Sequence, residues 1–185
     1  GGLRHDEIGY WSELKHEIIE KYAKAYSTIM SSEHQSYFKY YYIDGFAGPG
    51  EAKSRTTGQI VPGSPLTVLD VKPPFDSYCF VEYEPGRADN LRHLIGDRPN
   101  VHIYTGDCNS VLLDHVLPQI IYDRYRRALC LLDPYGLHLD WKVFHKAGEM
   151  GTIDLFLNFP VMDMNRRVQW KHPENATSEA QEAMT

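Results

Sequence analysis

Five apolar runs constrain the fold more than any other feature of this chain: FKYYYID (38–44), SYCFVEY (77–83), VHIYTGD (101–107), ALCLLDP (128–134) and TIDLFLNFP (152–160). Apolar, aromatic and β-branched residues fill successive positions in them, so both faces of such a strand need burial. Strands of that kind, separated by helix-length segments, predict a parallel sheet with helices on both sides. The expected class is α/β, doubly wound around a mainly parallel sheet.

The segments between the runs carry helix signals. Ser64 is placed as an N-cap with Pro65 at the first helical position, and LTVLDV follows as the apolar face. A second helix runs from Pro85 to Ile95 and stops at Gly96. Asn109 is expected to cap NSVLLDHVLPQIIY, and Asp140 to cap the helix before the fifth run. Ahead of the first strand, Trp11, Leu14, Ile18, Tyr22, Ala25, Tyr26 and Ile29 recur at helical steps. They predict an amphipathic helix that docks on the sheet or beside its crevice. EAKSRTTGQIVPG (51–63) has no periodicity and reads as a loop.

In an open parallel sheet, ligands sit beyond the carboxyl ends of the strands, where strand order reverses. The first run delivers IDGFAGPG (43–50) to that place. A phosphate loop would need Lys and Ser or Thr after the second glycine, but Glu51 and Ala52 follow Gly50. A dinucleotide turn would need a small residue where Lys53 stands and a helix starting at once, whereas the expected helix waits until about Ser64. An acid followed by small residues suits S-adenosylmethionine, which has a cationic sulfonium and no phosphate. Asp44, Gly45, Phe46, Ala47, Gly48 and Gly50 would be its contacts. Three further strand ends carry acids: Glu82, suited to ribose hydroxyls, Asp107, suited to the adenine amine, and Asp133.

In order, DGFAGPG, EYEP, GD and DPYG resemble the motifs of class I S-adenosylmethionine-dependent methyltransferases. More narrowly, YWSELKHEIIEKY, YIDGFAGPG, GSPL, LLDPYGL and NFPVMDMNRR resemble the three-Cys-motif partner family, TcmP, over roughly residues 8–167. The resemblance implies a Rossmann-like domain over 8–167; residues 168–185, polar and with little to bury, read as a tail or as a fragment of a truncated C-terminal part. The resemblance also implies a partner protein that carries the cysteine motif. DPYG is similar to the Asp-Pro-Pro-Tyr signature of enzymes that methylate exocyclic or amide nitrogen. Asp133 and the Pro134 carbonyl would then hold the nitrogen, and Tyr135 would stack on the substrate, a nucleobase or a protein amide. One proline of the signature is missing, and Gly136 follows the tyrosine. The superfamily's sixth and seventh strands find no counterpart after Pro160, so they are expected to be lacking. The alternative is a non-catalytic binding module of the same fold.

Bulk properties narrow the partners. A net charge of −6 and a pI of about 5.8 argue against holding duplex DNA or a membrane surface by overall positive charge. No apolar run spans a membrane, GGLRHDEIGYW does not read as a signal peptide, and a cytoplasmic location is expected. Cys79, Cys108 and Cys130 fit neither a disulfide framework nor a zinc site, and no histidine pattern suggests a metal. Lys53 and Arg55 in the expected loop, and Arg166 after the fifth run, are candidate contacts to a substrate phosphate or carboxylate. Arg124–Arg127 is expected at the edge away from the crevice as solvated surface, and His16 as a surface or interface residue.

Overall fold

The computed structural model describes residues 6–8, 10–32, 37–134 and 139–158. Its elements are β1 (Asp6–Ile8), α1 (Tyr10–Met30), β2 (Lys39–Asp44), β3 (Glu51–Ser54), β4 (Ile60–Pro62), α2 (Ser64–Leu69) and β5 (Ser77–Glu82), then α3 (Pro85–Ile95), β6 (Val101–Thr105), α4 (Cys108–Val111), β7 (Arg126–Leu132), α5 (Trp141–Met150) and β8 (Ile153–Leu157). The five expected runs form one all-parallel sheet in the order β6-β5-β2-β7-β8.

Because strand side chains alternate between faces, each run divides between two cores. Tyr40, Tyr42, Tyr78, Phe80, Leu129 and Leu131 face α1, α2 and α3. Ile43, Cys79, Val81, Ala128, Cys130 and Leu132 face α4, the helical turns after it, and α5. The crossovers change face at β2, so strand order reverses between β2 and β7 and a crevice opens at their carboxyl ends. All three cysteines are free and buried. Among the described residues, no helix is long and apolar enough to cross a membrane.

Several local expectations are corrected. Residues 51–63 are not a loop: β3 and β4 pair antiparallel, with Glu51 opposite Pro62, and β1 adds parallel to β3. The turn chemistry explains the hairpin. The Ser54 hydroxyl accepts from the Thr56 and Thr57 amides, and Gly58 supplies a φ of +71. Gly63, not Ser64, is the N-cap of α2. Asp107, not Asn109, caps α4, and Asn109 Oδ1 accepts from the Asp140 amide at 2.8 Å. The expected long helix after it is a short α turn, a π turn (Leu112–Val116) and a 3-10 turn (Leu117–Gln119) containing Pro118. Asp140 caps α5 and Gly96 ends α3 as expected.

The buried face of α1 also differs from expectation. Ile19, Ala23, Tyr26 and Met30 enter the core, while Ile18, Tyr22, Ala25 and Ile29 are exposed. Two apolar stripes lie side by side on this helix, and the sheet takes the one that reaches Phe75 and Tyr40. Nor are Arg126 and Arg127 solvated: both are half-buried at the start of β7. The Arg127 guanidinium lies 4.6 Å from the Phe38 and Tyr122 ring centres, and Arg126 donates to the Gln119 carbonyl at 2.8 Å. Their aliphatic stems and planar heads pack against rings that outline the end of the sheet.

Phe75 is the hub of the first core, 2% exposed, with the rings of Tyr26, Tyr40, Tyr42 and Tyr78 within 6.0 Å centre to centre. Truncating it leaves a cavity beneath four rings whose backbones are fixed in α1, β2 and β5. The Phe75→Ala variant is expected to lose about 3–5 kcal/mol in urea unfolding; a loss below about 1 kcal/mol would show that the aromatic cluster does not hold the layers together.

Candidate functional site

The crevice is built from the end of β2. Tyr42, Ile43 and Asp44 are essentially inaccessible, at 1%, 0% and 1%. A buried carboxylate must find donors in the protein. Asp44 Oδ1 accepts from the Phe46 amide at 3.0 Å, and Oδ2 from the Ser64 hydroxyl at 2.7 Å. Burial pushes its pKa up to about 6 against the lowering effect of those two bonds, and Asp133 and Glu82 add to the rise.

The turn after Asp44 is bonded to both neighbouring strands, Gly45 to the Leu131 carbonyl at 3.0 Å and Ala47 to the Val81 carbonyl at 2.9 Å. A side chain on Gly45 would lie 2.8 Å from Leu132 and 2.9 Å from Cys108. Gly50 has a φ of +89 and a would-be Cβ 2.9 Å from Leu91, so both local twist and space demand glycine. The Gly63 amide bonds the Gly50 carbonyl at 2.7 Å, bringing the far end of the hairpin back to the turn. The start of α2 therefore lies beside the turn after β2 despite the intervening hairpin. A carboxylate already sits there, which disfavours a phosphate.

Two cavities flank this turn, and Phe46 lines both. The larger, about 530 Å³, follows the ends of β5 and β6 and includes Gly45, Glu82, Arg87 and Asp107. Glu82 is 8% exposed and its Oε1 accepts from the Glu84 amide at 2.8 Å. Asp107 is exposed, and its Oδ1 caps α4 through the amide and hydroxyl of Ser110. The smaller cavity, about 90 Å³, lies at the reversal of strand order. It gathers Asp44, Gly48, Gly50, Ser64, Asp133 and, from α1, His16. Asp133 Oδ1 accepts from Asn158 Nδ2 and lies 3.5 Å from Lys15 Nζ.

Of the residues singled out in the sequence, Gly45, Phe46, Glu82 and Asp107 meet in the larger cavity, and Asp44, Phe46, Ala47, Gly48, Gly50 and Asp133 in the smaller. Pro134 is buried beside Asp133. Tyr135 and Arg166 lie outside the described residues, as do Arg167 and the stretch after Asn158. Lys53 and Arg55 are exposed on the hairpin and are not among the residues lining either cavity. Ser64, Asn158, Lys15 and Arg87 are site residues that sequence reasoning missed, and His16, expected as a surface or interface residue, lines the smaller cavity. Asn158 follows the fifth run directly and could have been found as a strand-end polar residue; nothing local marks Lys15 or His16.

Asp44, Glu82, Glu84, Asp107 and Asp133 outnumber Arg87 and Lys15 around the two cavities, and Arg87 is paired with Glu84 at 2.9 Å. Such a crevice favours a ligand carrying positive charge and apolar surface over one carrying phosphates. Among the described residues, no cluster of His, Cys, Asp or Glu could hold a metal ion.

The raised pKa has a thermodynamic consequence. Folded Asp44 keeps a proton up to about pH 6, while the unfolded chain releases it near the ordinary carboxylate value. The folded state thus binds more protons across that window, and stability falls as pH rises through it, by on the order of 3 kcal/mol. Compared with an Asp44→Asn variant, the wild type should gain stability as pH is lowered from about 7 to about 4. Parallel pH profiles in chemical denaturation would refute the burial cost.

No protein-family model matches the chain, and no curated protein does. Among solved structures, the chain is similar to the crystal structure of protein LPL1258 from Legionella pneumophila str. Philadelphia 1, of the family DUF519. The TM-score is 0.57, and the match covers 91% of this chain and 72% of that one at 14% sequence identity. At that identity the likeness is one of fold: an α/β architecture on a parallel sheet.

Proposed function

We propose that the chain is an S-adenosylmethionine-dependent methyltransferase that acts on a nitrogen. The observation that carries the reading is the acidic crevice at the carboxyl ends of the strands, where the turn after the buried Asp44 carboxylate lies between a small acidic cavity at the reversal of strand order and a mainly apolar cavity of about 530 Å³ at the ends of β5 and β6. A sulfonium cofactor meets each requirement of that crevice. Its cationic end suits Asp44, its ribose hydroxyls suit Glu82, and its base fits between Phe46 and Asp107. Gly45 and Gly48 let the backbone come close. Asp133 and the Pro134 carbonyl then orient an amino or amide nitrogen, so that positioning supplies most of the rate. When bound, the cofactor supplies the methyl group; the nitrogen lone pair forms the new N–C bond, the S–C pair stays on sulfur, and the nitrogen's proton passes to water. The TcmP-like motifs and the methyltransferase form of the doubly wound sheet belong to this proposal.

One observation favours a second reading, a cofactor-binding module without catalysis that partners another protein. Asp133 Oδ1 is already engaged by Asn158 and Lys15, so an incoming amine has to displace one of them or use the other oxygen.

Calorimetric titration with S-adenosylmethionine and S-adenosylhomocysteine tests the cofactor. Micromolar binding is expected, weakened at least tenfold by Glu82→Ala and by Asp44→Ala in variants whose thermal unfolding shows a fold. No heat from folded wild type would overturn the assignment. Given binding, transfer of labelled methyl to nucleic acid or protein, abolished by Asp133→Ala, supports the enzyme; binding with no labelled acceptor supports the second reading.

A further inference from the structure

The opposite end of the sheet has a different character. Tyr37, Phe38 and Tyr125 touch one another, with ring centres 4.4, 5.4 and 6.1 Å apart. The Arg127 guanidinium continues the strip, stacked 4.6 Å from Phe38 on one side and 4.6 Å from Tyr122 on the other. Tyr37, Tyr122 and Tyr125 nevertheless remain 58%, 62% and 55% exposed. Large rings that touch one another and still face water do not serve the core.

The strip is rigid. The turn 121–126 is closed by the Tyr125 and Arg126 amides on the Tyr122 and Ile121 carbonyls, and the Tyr125 carbonyl accepts from the Lys39 amide at 2.9 Å. Tyr125 itself adopts a left-handed φ of +55, a conformation that a bulky side chain resists. Its surroundings hold a ring outward that a glycine at that position would not supply.

This end carries a run of cations. Arg124, Arg126 and Arg127 lie within four residues of one another, with Lys39 and Lys146 nearby, against Asp76, Asp123, Glu149 and Asp154 among the described residues, in a chain whose net charge is −6. Exposed rings interleaved with guanidinium groups match what single-stranded nucleic acid offers, unstacked base faces and a phosphate backbone. A protein partner would also use tyrosine and arginine, but three arginines set among the rings beside a single acid, Asp123, in a chain that is acidic overall, favour a polyanion.

We propose that this aromatic and basic strip is a docking surface for single-stranded nucleic acid. Bases stack on Tyr37, Tyr122 and Tyr125, and Arg124 and Arg127 meet the phosphates. The surface stands apart from the crevice and does not need the cofactor. Taken together with the methyltransferase reading, on which this last step rests, it points to a nucleic-acid acceptor.

Fluorescence anisotropy with labelled single-stranded RNA and DNA of about 12 nucleotides, a length within the range such platforms cover, tests the proposal. Binding is expected to be salt-dependent and stronger for single strands than for duplex. A Tyr122→Ala/Tyr125→Gly double variant should weaken it at least tenfold while keeping the wild-type melting temperature. Arg124→Ala should lower the salt slope by about 1. Wild-type protein that binds no oligonucleotide at about 50 mM salt would overturn the proposal, as would affinity unchanged in the double variant. Oligomerisation lost in the double variant without any oligonucleotide binding would overturn it too, as the mark of a protein interface. Cofactor titration of the same samples separates the two proposals, because a failed crevice leaves the oligonucleotide result standing.

Discussion

A carboxylate almost wholly shut off from solvent dictates much of this structure. Asp44 is 1% exposed, and its two donors come from places far apart in the chain: the amide of Phe46, two residues on, and the hydroxyl of Ser64, twenty residues on. The first fixes the turn after β2. The second requires that everything between, including the β3–β4 hairpin, return to its starting point, and the bond from Gly63 to Gly50 is where it does. One buried group thereby joins the central strand, its turn, the hairpin and α2. The arrangement is costly at neutral pH, and a fold selected only for stability would have placed an apolar residue or an amide there. A retained cost at the reversal of strand order is itself an argument for a ligand.

The parallel sheet was legible because the three central strands are buried on both faces and the edge strands β6 and β8, though only half-buried, stay apolar enough to announce themselves by composition. Asp44, Glu82, Asp107 and Asp133 were legible as a group for a related reason: in a parallel sheet, strand ends far apart in sequence lie together, and the eye needs only the ends. What stayed hidden depended on partners. On α1, two apolar stripes one residue out of phase carry the same helical period, and only the shape of the sheet decides that Ile19, Ala23 and Tyr26 go in while Ile18, Tyr22 and Ala25 stay out. Lys15 reaches Asp133 across 118 residues and Asn158 reaches it across 25, distances at which no local pattern operates. Ser64 was read as a cap because hydroxyls at helix starts usually serve the helix; here Gly63 takes that role and the hydroxyl serves the acid.

Parallel strands have a further consequence for charge. When all strands run one way, every first residue lies at one end and every last residue at the other, so a bias between starts and ends becomes two surfaces of opposite sign. β7 shows this within seven residues, opening on Arg126 and Arg127 and closing next to Asp133. The overall charge of −6 averages over the two ends and describes neither.

The ends are separated by the length of a strand, about 20 Å for six or seven residues. Charges are screened over about 8 Å at physiological salt, so each end presents its own field to an approaching molecule. The carboxylates of the crevice repel a polyanion, and the guanidinium groups and rings on which the docking proposal rests stand at the far end. Only a segment long enough to run along the side of the sheet can be held at one end and reach the other, and it would arrive with a single base whose phosphates are anchored elsewhere. An acidic crevice is therefore compatible with a nucleic-acid acceptor on one condition: the affinity resides at the basic end and the crevice handles the base and the cationic ligand. The division resembles the general rule that backbone contacts position a nucleic acid while separate groups read the base.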